Sequence, residues 1–296
     1  MSARRVFLTI DLDLVDHLAG GAEIDELGAA LDPLLDVFRR HPAWKATWLI
    51  RLDAQIEHRF GDASRPHADA ASRLAELLRA GHELGWHPHC YARQNGAWVQ
   101  NTDGESVANE LRRFAPSAWS LGLRTARMGW AFHTNATLRV LSDHDFVVDS
   151  SAIPRPVYPW DRGAKDWSST APAPYHPSLA DYRVPGAPSL PILELPISVA
   201  PVRAPYDEGT VIRYLNPAYR PAALQPVLRS WFDSHDLAVL VTHPHELFPR
   251  SVEHALIASS TDAFEENVVS LEESAAAAGT GVRFVTLSRA ASAVPA

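Results

Sequence analysis

Two pairs of ionisable residues stand two apart in the chain, Asp11-Leu12-Asp13 and His87-Pro88-His89. In an extended segment alternate residues share a face, so each pair projects its side chains together while Leu12 points the other way. Two carboxylates on one face repel unless a cation or an arginine lies between them. Two imidazoles on one face suit a pair of metal ligands, and Pro88 stiffens the backbone between them. Together the pairs point to a mononuclear Asp/His/His site for a divalent metal. Spacing alone leaves open which aspartate is the ligand. Each pair also has a plainer reading, one aspartate as a helix cap and the histidines as hydrogen-bonded core residues.

Three more residues could complete such a site. Arg124 and Arg127, in Leu123-Arg124-Thr125-Ala126-Arg127, are each candidates to pair with a carboxylate and hold it ionised. The apolar run Leu237-Ala238-Val239-Leu240-Val241-Thr242 ends abruptly at His243, a candidate general acid or base. His245 reads as a rim residue, and His82 and Glu83, at the start of their segment, read as structural.

These residues act together only if the fold brings their segments to one place. Strand-like apolar runs are expected at 6–14, 46–52, 83–89, 122–128, 146–150, 192–198, 237–243 and 282–287. Helical patterns fall between several of them, at 22–40, 68–80, 105–114, 135–144, 221–234 and 252–278, the last ending before Gly279 as a C-cap. Strands alternating with helices imply an α/β fold with a parallel sheet, and seven or eight repeats favour a closed or nearly closed barrel. A doubly wound open sheet is the runner-up. In a parallel barrel the C-terminal strand ends converge, and the candidate residues sit at those ends. We expect one domain over 1–296, without an internal repeat or a linker.

Composition narrows the chemistry. The chain has 296 residues, a formal net charge of −8, 14 histidines and the single Cys90. One cysteine excludes a disulfide framework, a Cys-rich zinc module or an iron–sulfur cluster, so a metal would rest on histidine and carboxylate. Cys90 itself, beside His89, reads as a buried neighbour of the site. The acidic balance without a basic cluster argues against nucleic acid or an anionic membrane as partner. The expectation is a cytoplasmic protein with neither a membrane span nor an N-terminal targeting signal. Of 23 prolines, 15 lie between Pro154 and Pro226. The segment 154–191 lacks either periodicity but carries Trp160, Trp167, Tyr175, His176 and Tyr182, and we expect an ordered excursion over one end of the barrel.

In order along the chain, the pieces are Thr9-Ile10-Asp11-Leu12-Asp13, Ala46-Thr47-Trp48, Gly81-His82-Glu83-Leu84-Gly85-Trp86-His87-Pro88-His89, Leu123-Arg124-Thr125-Ala126-Arg127, Asp149-Ser150-Ser151, Leu193-Glu194-Leu195-Pro196 and Thr242-His243-Pro244. This series resembles the polysaccharide deacetylases (NodB homology, carbohydrate esterase family 4) over most of the chain. The resemblance implies a distorted (β/α)7-8 barrel, one divalent metal (zinc, with cobalt or nickel as alternatives) and hydrolysis of acyl groups from sugars. It implies Asp11 as catalytic base and His243 as general acid, with Arg124 pairing the base and Arg127 as second candidate. The second acid of the usual adjacent pair is replaced by Leu12, so the ligand becomes Asp13, as in an Asp-x-Asp branch. His87 matches the first metal histidine. The usual second one, four residues on, is Tyr91 here, which leaves His89 as the third ligand.

The activity so implied is N-deacetylation or deformylation of an acylated sugar or small glycoconjugate, a small-molecule partner. Trp130, Trp160, Trp167 and Tyr175 are the candidate substrate-binding aromatics, with packing of the loop onto the barrel as the alternative for each. A hydrolase of a cyclic amide or ureide would use the same strand ends and differ in its product. A non-catalytic carbohydrate-binding barrel would need no metal.

Overall fold

Apolar Val6, Leu8, Ile10 and Leu12 alternate with Phe7, Thr9 and Asp11, and this stretch forms the central strand, β1 (Arg4–Leu12). The computed structural model describes residues 3–13, 25–154, 166–248 and 254–292. Seven further strands join β1 in one sheet: β2 (Ala46–Ile50), β3 (Glu83–Trp86), β4 (Thr125–Ala126), β5 (Val148–Asp149), β6 (Leu193–Glu194), β7 (Leu237–Thr242) and β8 (Val282–Phe284). The order is β7-β1-β2-β3-β4-β5-β6, with β8 paired to the first residues of β1, and all these pairings are parallel. The seven-strand path curls into a half-barrel, so the α/β barrel expectation holds and the open doubly wound sheet does not.

Individual residues finish the ring where no ladder runs. Ser198 donates its N–H to the Val239 carbonyl (3.1 Å) and accepts from Leu215, while Val241 donates to the Leu215 carbonyl (3.1 Å). The fold is thus a distorted barrel, closed between β6 and β7 by an irregular segment. That segment includes an antiparallel hairpin of Val199–Pro201 with Ile212–Tyr214.

Two apolar layers follow from the alternation of β1. Val6, Leu8, Ile10 and Leu12 pack outward against the helices, with Trp48, Leu31, Leu34 and Phe264 in the same cluster. Phe7 points inward to meet Leu49, Val148, Leu193, Val239 and Val241, which fill the barrel's lower interior. A large apolar side chain buried this way contributes about 1.5–3 kcal/mol. Above this plug the inward positions become polar, at Thr9 and Asp11, and the site begins there.

The helices depart from their sequence patterns in both directions: the 105–114 pattern extends over Gly104–Ser120, while others are shorter or broken. The 68–80 pattern is carried by Arg65–Asp69 and Ala71–Arg79, and the 221–234 pattern by Pro221–Leu228 and Trp231–Ser234. The helix expected from 252 starts at Thr261, because Ser260 accepts hydrogen bonds from the N–H groups of Asp262 and Ala263 as its N-cap. In the described part of the Pro-rich excursion the backbone pairs through isolated bridges rather than ladders: Tyr175 with Glu194, Pro177 with Pro185 and Ser178 with Ser189. Trp160 lies outside the described residues. No helix among the described residues is long and apolar enough to cross a membrane.

Candidate metal centre and acid–base pair

Asp11 ends the inward face of β1, and Asp13 follows one step beyond on the same side. Asp13 turns inward through an N–H bond to the Asp11 carbonyl (2.8 Å). His87 and His89 follow the end of β3, where the His87 N–H still bonds the Ile50 carbonyl of the neighbouring strand (2.7 Å). Across the barrel mouth, β7 delivers His243. The spacing argument therefore holds in three dimensions: the candidate residues of three strands meet at one end.

Asp13, His87 and His89 present donor atoms that all lie within 4.8 Å of one another. The Asp13 Oδ1 atom is 2.8 Å from His89 Nε2 and 3.7 Å from His87 Nε2, and the two Nε2 atoms are 3.1 Å apart. Asp13 Oδ1 is buried yet makes no well-directed hydrogen bond, an arrangement that suits a carboxylate oxygen meant for a cation. His87 Nδ1 donates to the Arg127 carbonyl (2.7 Å), which leaves the Nε2 lone pair facing the carboxylates. Burial pushes the His89 imidazole down to about 4, so it is neutral and able to coordinate near neutrality. Burial pushes the Asp13 carboxyl up, but the two imidazoles outweigh it and hold it well below the usual range. These residues fit a single divalent ion bound by one carboxylate and two imidazoles.

Asp11 is held from the opposite side. Its Oδ1 accepts from Arg127 Nη1 (2.8 Å), and its Oδ2 lies 3.9 Å from His87 Nε2 and 3.8 Å from His243 Nε2. Arg127 is itself buried and donates to Thr9 Oγ1 (2.6 Å), the Ser150 carbonyl (2.7 Å) and Ser150 Oγ (3.0 Å). Arg124 is placed elsewhere. It lies over the Trp119 ring, 3.9 Å from its centre, and donates to the Trp119 and Leu123 carbonyls. The two arginines stand three apart, so an extended segment sends them to opposite faces, and only Arg127 enters the barrel. The expected pairing of Arg124 with Asp11 is therefore corrected to Arg127.

His243 is fixed by a residue the sequence reading passed over. Glu246 accepts from His243 Nδ1 (3.2 Å) and from the His243 N–H (2.9 Å), while Asn216 donates to the same oxygen (2.8 Å). Burial lowers the His243 imidazole, but Glu246, Asp11 and Asp13 outweigh that and raise it to about 9. Burial would likewise raise Glu246, yet His243 and Asn216 hold it at about 2. The imidazole is thus cationic near neutrality, with Nε2 facing the carboxylates. The available signal was the Thr-His-Pro-His-Glu run, in which Pro244 turns the chain so that residue 246 folds back on residue 243.

The aromatic assignments divide. Trp130 stays at the rim, 45% exposed, with its indole N–H donated to Tyr91 Oη (2.8 Å). Trp167 and Tyr175 are corrected. Trp167 is buried, donates to the Ala131 carbonyl (2.9 Å) and packs against Tyr182. Tyr175 is buried and donates to the Tyr182 carbonyl (3.1 Å). Neither ring offers a face to a ligand. Cys90 is buried beside the site, and burial pushes its thiol well up, away from the reactive thiolate.

No protein-family model matches the chain, and no curated protein sequence matches it. Solved structures do resemble it. A protein from Mycobacterium smegmatis provisionally assigned as a polysaccharide deacetylase superposes with a TM-score of 0.55 at 16% identity, covering 99% of this chain and 91% of that one. A 4-alpha-glucanotransferase from Thermococcus litoralis gives a TM-score of 0.54 at 12% identity, with 99% of this chain on 41% of that one. A family 4 carbohydrate esterase from Streptomyces lividans, in complex with acetate, gives 0.43 at 10% identity, covering 97% and 99%. At these identities the likeness is one of fold. The distorted barrel inferred from the motif series is the fold of the Mycobacterium smegmatis structure.

Proposed function

We propose that this protein is a metal-dependent deacylase that hydrolyses an amide on a sugar or small glycoconjugate, as an N-deacetylase or deformylase. One observation carries the reading. A carboxylate anchored by a buried arginine (Asp11) and a cationic imidazole (His243) flank a three-donor set (Asp13, His87, His89) at the barrel mouth. The separation of roles supports it as well: the arginine fixes Asp11, and the two imidazoles gather around Asp13.

In this mechanism Asp13, His87 and His89 would hold one divalent ion, zinc by the chemistry of the donors, with cobalt or nickel as alternatives. When bound, such an ion supplies Lewis-acid polarisation of the acyl carbonyl and of the attacking water. Asp11, held in place by Arg127, takes the proton of that water as the oxygen bonds to the acyl carbon. His243 Nε2 then gives its proton to the amide nitrogen as the C–N bond breaks, so the amine leaves neutral. Proton transfers of this kind are worth about 10²–10⁴-fold in rate. Glu246 supports the acid by stabilising the imidazolium before transfer. Arg124, Trp167 and Tyr175 have no part in these steps. Among the described residues, Trp130 is the expected aromatic whose exposed ring stands at the rim.

The test is metal analysis of the purified protein, followed by product analysis over acetamido and formamido sugars. One equivalent of metal and release of acetate or formate is the expected result. A ring-opened acid would reassign the substrate to cyclic amides or ureides. Metal-free protein, inactive after addition of Zn²⁺, Co²⁺ or Ni²⁺, would refute hydrolysis and favour a sugar-binding barrel.

A further inference from the structure

We infer that Tyr91 is a positioning residue for the metal centre, its hydroxyl selecting the ring nitrogen that His89 offers to the ion. This rests on the metal-site reading above. His89 Nδ1 lies 3.1 Å from Tyr91 Oη, and Trp130 Nε1 donates to the same oxygen at 2.8 Å. The backbone is bent to permit this. Cys90, between the two residues, adopts φ 47°, and the His89 and Tyr91 rings stack with centres 5.2 Å apart and planes 27° apart. Trp130 and Ala131 are also left-handed, at φ 58° and 54°. Three non-glycine residues in this region around one imidazole mark a local geometry that the surrounding structure imposes.

The hydrogen-bond inventory supplies the rest. An indole N–H can only donate, so Trp130 occupies one lone pair of the Tyr91 oxygen. A neutral imidazole that coordinates through Nε2 carries its proton on Nδ1, and the second lone pair of Tyr91 accepts it. Without a cation, Nε2, 3.1 Å from His87 Nε2, holds the proton towards the lone pair of that ring. The Tyr91 O–H then donates to Nδ1. One hydroxyl therefore satisfies both tautomers, and the ring need not rotate when the ion enters or leaves. Phenylalanine would satisfy neither. The Trp130 contact pins the hydroxyl oxygen, and so links the exposed ring at the rim to the ligand His89 through two hydrogen bonds.

The experiment compares zinc affinity, by competition with a chromophoric chelator at fixed pH, in wild type, Tyr91→Phe and Trp130→Phe. It also compares the visible spectra of the Co²⁺ forms and the melting temperatures of the metal-free proteins. We expect Y91F to bind zinc roughly 10–100-fold more weakly, with an altered Co²⁺ spectrum and, because the metal-free form loses the same contacts, a metal-free melting temperature lowered by roughly a few degrees. W130F is expected to lose less, in the same direction. Affinity within twofold of wild type in folded Y91F overturns the assignment and leaves the metal site standing. If Y91F does not fold, unchanged affinity and spectrum in W130F overturn it. Wild type that binds no metal overturns both this inference and the proposed function.

Discussion

Replacing Arg127 by methionine is the sharpest test of how the site is held. The Arg127 side chain is 3% exposed, and its four hydrogen bonds reach Asp11, Thr9 and both oxygens of Ser150. Methionine fills much of the same volume but leaves the buried Asp11 carboxylate without its cation. Removing one partner of a buried pair costs about 3–5 kcal/mol, a large share of the roughly 5–15 kcal/mol that holds a typical protein folded. With a urea dependence of about 3 kcal/mol per molar, the midpoint falls by about 1–1.7 M. Arg124→Met removes only a cation lying on Trp119 and two bonds to backbone carbonyls. Its expected cost is below about 1 kcal/mol. The double variant D11N/R127M removes the stranded charge as well, and a coupling of about 2 kcal/mol is expected between the two sites. Urea unfolding of chelator-treated wild type, D11N, R127M, D11N/R127M and R124M, followed by circular dichroism, reads these differences. Chelation matters because a bound ion would otherwise neutralise Asp11 in place of the arginine. An R127M variant within about 1 kcal/mol of wild type, or an equal loss in R124M, would refute the assignment of Arg127 as the buried partner.

Three other substitutions address the chemistry and its support. Asp11→Asn keeps Asp13, His87 and His89, so metal content is expected unchanged while turnover drops by about 10²–10⁴-fold; metal analysis beside acyl-release rates checks it, and near-normal turnover would remove Asp11 from the base role. Glu246→Gln removes a main support of the His243 imidazolium, whose folded pKa of about 9 exceeds the ordinary 6.5. The stabilisation from that group is full below pH 6.5 and is lost as pH rises through 9, so E246Q is expected to flatten stability over that window and move the alkaline limb of turnover to lower pH. An unmoved limb in the pH–rate profile would mean His243 is not the acid. Gly129→Ala places a Cβ 2.5 Å from the His89 ring carbons Cγ and Cδ2, so the ring has to leave its position. The expected cost is about 1–3 kcal/mol of stability together with reduced zinc content, read by thermal melting and metal analysis.

How much of this was legible in the sequence depends on which physical rule set each residue's position. Period-two alternation turns spacing into a face without tertiary information, and it placed Asp11 with Asp13 and Leu12 opposite. The eight strand-like runs all enter the one sheet, though Thr125–Ala126, Val148–Asp149 and Leu193–Glu194 keep only two paired residues each. Their apolar runs were longer because burial continues past the last ladder bond. The choice between Arg124 and Arg127 was beyond sequence for the same reason. Parity says that one points inward, but only the register does the choosing, through the Arg127 N–H bond to the Trp86 carbonyl (2.9 Å). Glu246 was missed because its contact with His243 comes from a chain reversal after Pro244, which no periodicity encodes.

The Pro-rich excursion shows the opposite case, where the residue types were read correctly and their use was not. Its aromatic residues looked available for sugar faces because no strand or helix pattern claimed them. A loop held by three isolated bridges, however, has almost no ladder to secure it. What orders it is side-chain burial: Trp167 and Tyr182 pack edge to face at 5.0 Å, and His133 lies 6.1 Å and 6.2 Å from their ring centres. The polar atoms of Trp167 and Tyr175 are spent on backbone carbonyls. Aromatic rings in such a segment serve first as its own small core, and a ligand platform has to be sought where a ring is held by a hydrogen bond yet left exposed. Among the described residues expected to bind substrate, Trp130 meets that condition, and it does so beside the metal ligands rather than within the excursion.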